Sequence, residues 1–225
     1  MTFSIVGHCA RTGMFGVAIT TSSICVGARC PHVRAGIGAV ATQNITDPTY
    51  GPRLLDLLAK GHAADDALAR ALDGQQFTDY RQITVVDKSG ATASHTGARI
   101  LGTNAVSSNA HCLAAGNLLK TVSVPAAMTD AFVAHASKHL AERLLRALEA
   151  GLAAGGEAGP VHSAALLVAD KLPFPLVDLR CDWDDHDPVA ALRRLWTDYE
   201  PQMAAYVSRA VNPTMAPSYG VPGDK

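Results

Sequence analysis

The chain has 225 residues, 48% hydrophobic and 17% charged, with a formal net charge of −1. That is enough chain for one well-cored globular domain, and the balanced charge excludes a nucleic-acid or anionic-membrane surface as the main partner. No apolar run approaches the roughly 20 residues of a membrane helix, and the start lacks a basic segment followed by a long apolar one, so no secretory leader is expected.

The pattern opens with a hairpin over residues 2–23. Residues 2–7 are a short apolar run with a hydroxyl at its start, Arg11-Thr12-Gly13 signals a turn, and residues 15–21 are rich in β-branched and small side chains. Pro31 places the next stretch in a loop, and residues 35–43 read as a third strand whose small residues let another layer approach closely. Pro52 suits the first turn of a helix carrying Leu54, Leu55, Leu57 and Leu58 and closed by Lys60-Gly61. Residues 64–72 form a second helix, with Asp65 and Asp66 near its positive end.

Strands return at residues 82–86 and 91–96, joined by Asp87-Lys88-Ser89-Gly90. The Ser/Asn/Ala-rich residues 104–117 read as short strands. Helices follow at 125–136 and 140–152, the second with Leu140, Leu144, Leu145 and Leu148 at helical spacing. After a Gly-rich loop come strands at 163–169 and 176–180. A helix then starts at Asp187-Pro188 and runs to Trp196 and on towards Val211. Hairpins alternating with paired helices predict an α+β fold, an αββα four-layer sandwich of two antiparallel sheets between helical layers. The expected organisation is one domain over residues 1–211 and a Pro/Gly-rich tail over 212–225.

Chemistry is expected where the first hairpin begins. Thr2 follows the initiator Met, and a small second residue permits that Met to be removed. Thr2 would then carry a hydroxyl and a free α-amine, whose pKa of about 7.7–8.0 lets it take the hydroxyl's own proton. A Thr at a strand start is also ordinary β chemistry. Ser22 and Ser23, just past the second strand, can orient a nucleophile or a substrate, or simply bond to loop backbone. Arg34 opens an apolar, Gly-rich strand, a costly place for a cation unless it is paired or useful. Gln43 and the pair Gly116-Asn117 can offer amide donors to an oxyanion. His95 lies on a strand as a candidate acid or base.

No metal and no cofactor are expected. Cys30-Pro31-His32 and His111-Cys112 lack zinc-site spacing, the acidic run 182–187 reads as a solvated helix start, and no phosphate-binding glycine loop occurs. Five cysteines scattered without a CxxC pair read as reduced thiols in the cytoplasm.

The chain resembles the bacterial family DUF1028. The resemblance is carried by Thr2-Phe3-Ser4-Ile5-Val6, Gly16-Val17-Ala18, residues 34–43, Tyr50-Gly51-Pro52, His95-Thr96-Gly97 and Gly116-Asn117. It continues through residues 163–168, Val177-Asp178-Leu179-Arg180, Asp187-Pro188-Val189-Ala190 and residues 216–224, and so covers essentially the whole chain. It implies the fold of the N-terminal nucleophile hydrolases, which place Thr, Ser or Cys first on strand one, where Thr2 stands once Met1 is lost. Proteasome-type members put an Asp at the end of strand two, where this chain has Thr21, Ser22 and Ser23. They put a Lys at the start of strand three, where it has Arg34, a cation that cannot relay a proton at neutral pH.

The resulting expectation is an amidohydrolase of a small-molecule amide, with Thr2, Arg34, Gln43 and Asn117 catalytic and Ser22, Ser23 and His95 binding. The alternatives are a silent ligand-binding or assembly protein on the same fold, or a hydrolase using another nucleophile such as Ser22. Homo-oligomerisation is expected, with no nucleic-acid or membrane partner.

Overall fold

Strands β1 (Thr2–His8) and β2 (Phe15–Thr21) are buried along their whole length, so both faces of their hairpin must be covered. The computed structural model, which describes residues 2–221, shows how. Met1 and the last four residues of the tail lie outside the described residues. The other strands are β3 (Pro31–Arg34), β4 (Gly38–Asn44), β5 (Arg81–Asp87), β6 (Thr92–Thr96), β7 (Ala105–Asn109), β8 (Cys112–Asn117), β9 (Ser163–Ala169) and β10 (Val177–Cys181). One six-stranded sheet has the order β10-β9-β2-β1-β8-β7 and the other, of four strands, β3-β4-β5-β6, with every pairing antiparallel.

The sheets face each other. Helices α1 (Tyr50–Ala59) and α2 (Ala64–Leu72) cover the outside of the four-stranded sheet. Helices α3 (Val124–Ala134), α4 (Leu140–Ala153) and α5 (Pro188–Tyr199) cover the outside of the six-stranded one. The αββα sandwich expected from the sequence is thus observed. Helix α6 (Met203–Val211) follows a single 3-10 turn at Glu200–Gln202, which Pro201 starts, and buries none of its residues. Among the described residues no helix is long and apolar enough to cross a membrane.

Three boundaries differ from expectation for local reasons. The strand expected over residues 35–43 begins at Gly38, because residues 35–37 form the turn between β3 and β4 with Gly36 at a φ of 69°, so Arg34 ends β3 and does not open a strand. Residues 31–34 are a strand and not a loop. Pro31 is tolerated there because β3 is the sheet's edge and Pro is its first residue. Helix α1 starts at Tyr50, two residues before its proline.

Side-chain alternation divides the interior into layers. Phe3 and Ile5 point outward and join Met128, Phe132, Leu144, Leu145 and Leu148 beneath α3 and α4. Val40, Ile83 and Val85 meet Leu54, Leu55, Leu58 and Leu68 beneath α1 and α2. Between the sheets, Val6, Phe15, Val17, Ala39, Ala41, Val86 and Leu113 form an apolar layer at one end only. Each such large side chain contributes about 1.5–3 kcal/mol.

Helix α5 is tied to α4 by polar side chains. Arg193 donates to Glu142 at 2.5 Å and to Glu149 at 2.8 and 2.9 Å, and the Trp196 indole donates to Glu142 at 2.9 Å.

The paired glycines Gly7 and Gly16 let α3 and α4 sit close on the sheet. A Cβ on Gly16 would lie 2.6 Å from Leu144 Cδ1 and 2.9 Å from the Leu167 carbonyl oxygen. Gly16→Ala is therefore expected to cost about 1–3 kcal/mol in chemical denaturation. An unchanged midpoint would show that the helix layer shifts at no cost.

Candidate active site

The inner face of the sandwich changes character along β1. At the His8 end it is apolar, and at the Thr2 end it is polar. The strand register puts Thr2 directly opposite both Thr21 and Asn117, and Thr21 opposite Ser163. Ser163, Thr21, Thr2 and Asn117 therefore form one row across the end of the six-stranded sheet. Asn117 reaches Gln82 of the facing sheet and Ser4 reaches Gln43, so this row faces the space between the sheets. Thr2 is 5% exposed and Asn117 fully buried.

Buried polar groups at this depth must find partners. The Ser4 hydroxyl donates to Gln43 Oε1 at 2.7 Å. Gln43 Nε2 donates to Gln82 Oε1 at 2.8 Å and to the Ala115 carbonyl at 3.2 Å. Gln82 Nε2 donates to the Gly116 carbonyl at 3.2 Å, and Asn117 Nδ2 donates to Gln82 Oε1 at 3.1 Å. Gln43 thus bridges the two sheets and has no spare N–H for an oxyanion. Asn117 keeps one N–H beyond its bond to Gln82, and its Oδ1 has no hydrogen-bond partner among the described residues.

A second network runs the other way from Thr2. Thr2 Oγ1 lies 3.0 Å from Thr21 Oγ1, which lies 3.3 Å from Ser23 Oγ. Arg29 Nη2 donates to Ser23 Oγ at 2.9 Å, while Nη1 bonds the Ile24 and Cys25 carbonyls at 2.6 and 2.9 Å. Because Arg29 only donates, the Ser23 hydroxyl is free to donate to Thr21, and Thr21 in turn to Thr2. That order makes Thr2 Oγ1 an acceptor from Thr21. Ser22 follows Thr21 and is half-buried.

The structure does not bring Arg34 to this row. Arg34 donates to Asp56 of α1 at 2.8 Å and lines a cavity with Ala169, the β9 residue opposite Phe15 at the far end of the sheet. The cation linked to Thr2 is Arg29, which sequence reasoning passed over as part of a loop. His95 is also elsewhere. Its neighbour Thr96 points inward to Gln82, so His95 points outward, where its ring meets the Thr78 carbonyl at 2.9 Å.

One further residue escaped the sequence. Glu157, in the Gly-rich loop after α4, forms an isolated bridge with Leu119, two residues past Asn117. It is 5% exposed, and neither carboxylate oxygen has a well-formed hydrogen bond among the described residues. Burial pushes its pKa up to about 8, and the nearby Ser22 backbone N–H offsets only part of that. Ser22 and Leu119 flank the two strands beside β1, so Glu157 lies across the end where β1 begins. Its sequence signal was weak, a lone acid between glycines and alanines.

Neither Thr2, Thr21 nor Asn117 lines any of five cavities of about 40 to 550 Å³ formed by the described residues. Among the described residues no group of three or more His, Cys, Asp or Glu could hold a metal ion.

The fold and this row define an αββα sandwich with a threonine at the head of its first inner strand. The chain belongs to DUF1028, a family of unknown function whose model matches residues 2–192. It is similar to the crystal structure of protein SPO2555 from Silicibacter pomeroyi, of the same family, with 33% identity, a TM-score of 0.84, and coverage of 91% of this chain and 89% of that one. More distant similarity extends to Anbu (ancestral beta-subunit) from Yersinia bercovieri, with 9% identity and a TM-score of 0.40 over 91% and 97% of the two chains. An Anbu (Gly-1) mutant from Hyphomicrobium gives 12% identity and a TM-score of 0.40 over the same shares. No curated protein matches the chain.

Between its ordinary value of 4.5 and about 8, Glu157 keeps a proton in the folded chain that the unfolded chain has released. Its contribution to stability therefore falls as pH rises through that window. Glu157→Gln cannot ionise, so the variant should gain thermal stability relative to wild type between about pH 5 and pH 8. A difference that stays flat across this range would show that folded Glu157 is not protonated.

Proposed function

We propose that the chain is an N-terminal nucleophile amidohydrolase acting on a small-molecule amide. The observation that carries the reading is the Thr2 hydroxyl, facing the inter-sheet space at the very start of β1 and bonded at 3.0 Å to Thr21. Membership of DUF1028 supports it, since the resemblance to that family implies the fold of the N-terminal nucleophile hydrolases. Removal of Met1 gives Thr2 an α-amine beside its own hydroxyl. The amine takes the hydroxyl proton as Oγ1 attacks the amide carbonyl carbon. The oxyanion is met by the second N–H of Asn117 and by backbone N–H groups. The leaving amine takes the proton from the α-ammonium, and water then hydrolyses the threonyl ester.

Five residues serve this step without touching the carbonyl. Arg29, Ser23 and Thr21 hold Thr2 Oγ1 as an acceptor. Glu157, its pKa near that of an α-amine, positions the amine and buffers its proton. Gln43 holds the two sheets in register, while Arg34 and His95 have no part in the chemistry. The reading keeps the cytoplasm as location, in keeping with five cysteines that are all free thiols. It also keeps a homo-oligomer, since Val211, Met215 and Tyr219 expose large apolar surface beside the unburied α6.

A second reading, a ligand-binding or assembly protein with no turnover, is favoured by the absence of Thr2 from the lining of the five cavities. Intact-mass measurement and assay of Thr2→Ala and Thr2→Ser on a panel of small amides separate the two. The expected result is a mature chain beginning at Thr2, with turnover reduced at least about 100-fold by Ala and partly kept by Ser. Full turnover with Ala at this position removes Thr2 as nucleophile. A retained Met1, with thermal stabilisation by an amide recovered intact, supports the silent reading.

A further inference from the structure

The opposite end of β1, six residues and about 20 Å from Thr2, carries a second group of reactive side chains. A cavity of about 550 Å³ opens there, lined by His8, Cys9, Arg11, His111 and Arg143 with apolar flanks from Val133 and alanines. That volume suits a metabolite-sized ligand. No acidic residue lines it.

Arg143 is the informative member. It is 6% exposed, yet no carboxylate pairs with it among the described residues. Its Nε donates to the Phe132 carbonyl at 3.2 Å, and the guanidinium lies over the Phe132 ring at 3.8 Å from the centroid. These two contacts hold the plane of the fork; Cys9 is a further side-chain hydrogen-bond partner, and no oxygen acceptor other than the Phe132 carbonyl is bonded to the guanidinium among the described residues. A desolvated cation with no counterion is costly unless an anion joins it.

The surrounding groups reinforce the sign. Arg11 uses one nitrogen on the Ser137 carbonyl at 3.4 Å and keeps its other donors. His8 and His111 each bury an Nδ1 that has no hydrogen-bond partner among the described residues. His8 is stacked on Phe15 at 4.6 Å and meets His111 edge-on at 5.6 Å, which fixes both rings. Burial resists ionisation of the Cys9 thiol, yet the Thr12 hydroxyl, the Thr12 and Arg11 backbone N–H groups and the Arg143 charge together bring its pKa below the ordinary thiol value. Asp87, the carboxylate that acts on His8, is already satisfied by Ala64 N, Ser89 N, Ser89 Oγ and Ala91 N at 2.6–3.2 Å.

We propose that this cavity is a binding site for a compact oxyanion-bearing metabolite, its carboxylate or phosphate held by the forked guanidinium of Arg143 and by Arg11, with the two imidazoles beside it. The site is separate from the Thr2 row and stands whether or not Thr2 is a nucleophile.

The test uses the full chain with sodium phosphate and sodium propionate at fixed ionic strength, read by calorimetric titration and by the imidazole NMR signals of His8 and His111. At least one of the two anions should bind, move both imidazoles and raise the melting temperature, and the one that does so identifies the headgroup. Arg143→Lys, which keeps the charge and loses the fork, should weaken binding about ten-fold, and Arg11→Ala by a smaller factor. If Arg143→Lys does not fold, Arg11→Ala and the imidazole shifts decide alone. Failure of both anions to bind at about 10 mM, or equal binding by wild type and the folded variants, overturns the proposal and leaves Arg143 as a strut between α3 and α4.

Discussion

The amide bridge between Gln43 and Gln82 is the constraint on which the polar half of the interior depends. Both side chains are buried between two sheets, where an unpaired amide costs on the order of 1–3 kcal/mol. Each satisfies the other, and together they reach Ser4, Asn117 and two carbonyls of β8. A layer of valines and phenylalanines could slide; this one has donors and acceptors that match in one register only. The bridge therefore sets how the four-stranded sheet sits over the start of β1, and with it where the Thr2 hydroxyl points.

The same seven residues of β1 end in two different environments. At its beginning, hydroxyls and amides face one another across the sheets, and a carboxyl group is kept protonated by burial. At its finish, an apolar layer closes the gap and the polar groups are pushed outward to a cavity rim rich in cations. Glu157, from the loop after α4, thus lies near Thr2, and the imidazoles of His8 and His111 lie at the other end, with the apolar layer between them.

The tail is held by local contacts. Arg209 of α6 donates to the Pro217 and Ser218 carbonyls at 3.0 and 3.2 Å and lies over the Tyr219 ring. These contacts fold the chain back along α6, which rests on the sandwich through the partly buried Met203 and through Tyr206 stacked on Tyr199.

Period and punctuation were enough to read the hairpins, the helix pairs and the αββα layering from the residues themselves, because alternation, turn glycines and Leu spacing are local properties. The first hairpin and the position of Thr2 were legible for the same reason. Which end of the sandwich a residue occupies is not local. Arg34 and Arg29 are five positions apart, but β3 runs away from the Thr2 end, so only Arg29, two residues before β3 begins, reaches the hydroxyl row. Gln43 and Gln82 meet across 39 residues of sequence, and Glu157 is carried to β1 by a loop after α4. Such meetings arise from register between strands and from the packing of one layer on another, which no single stretch of chain encodes.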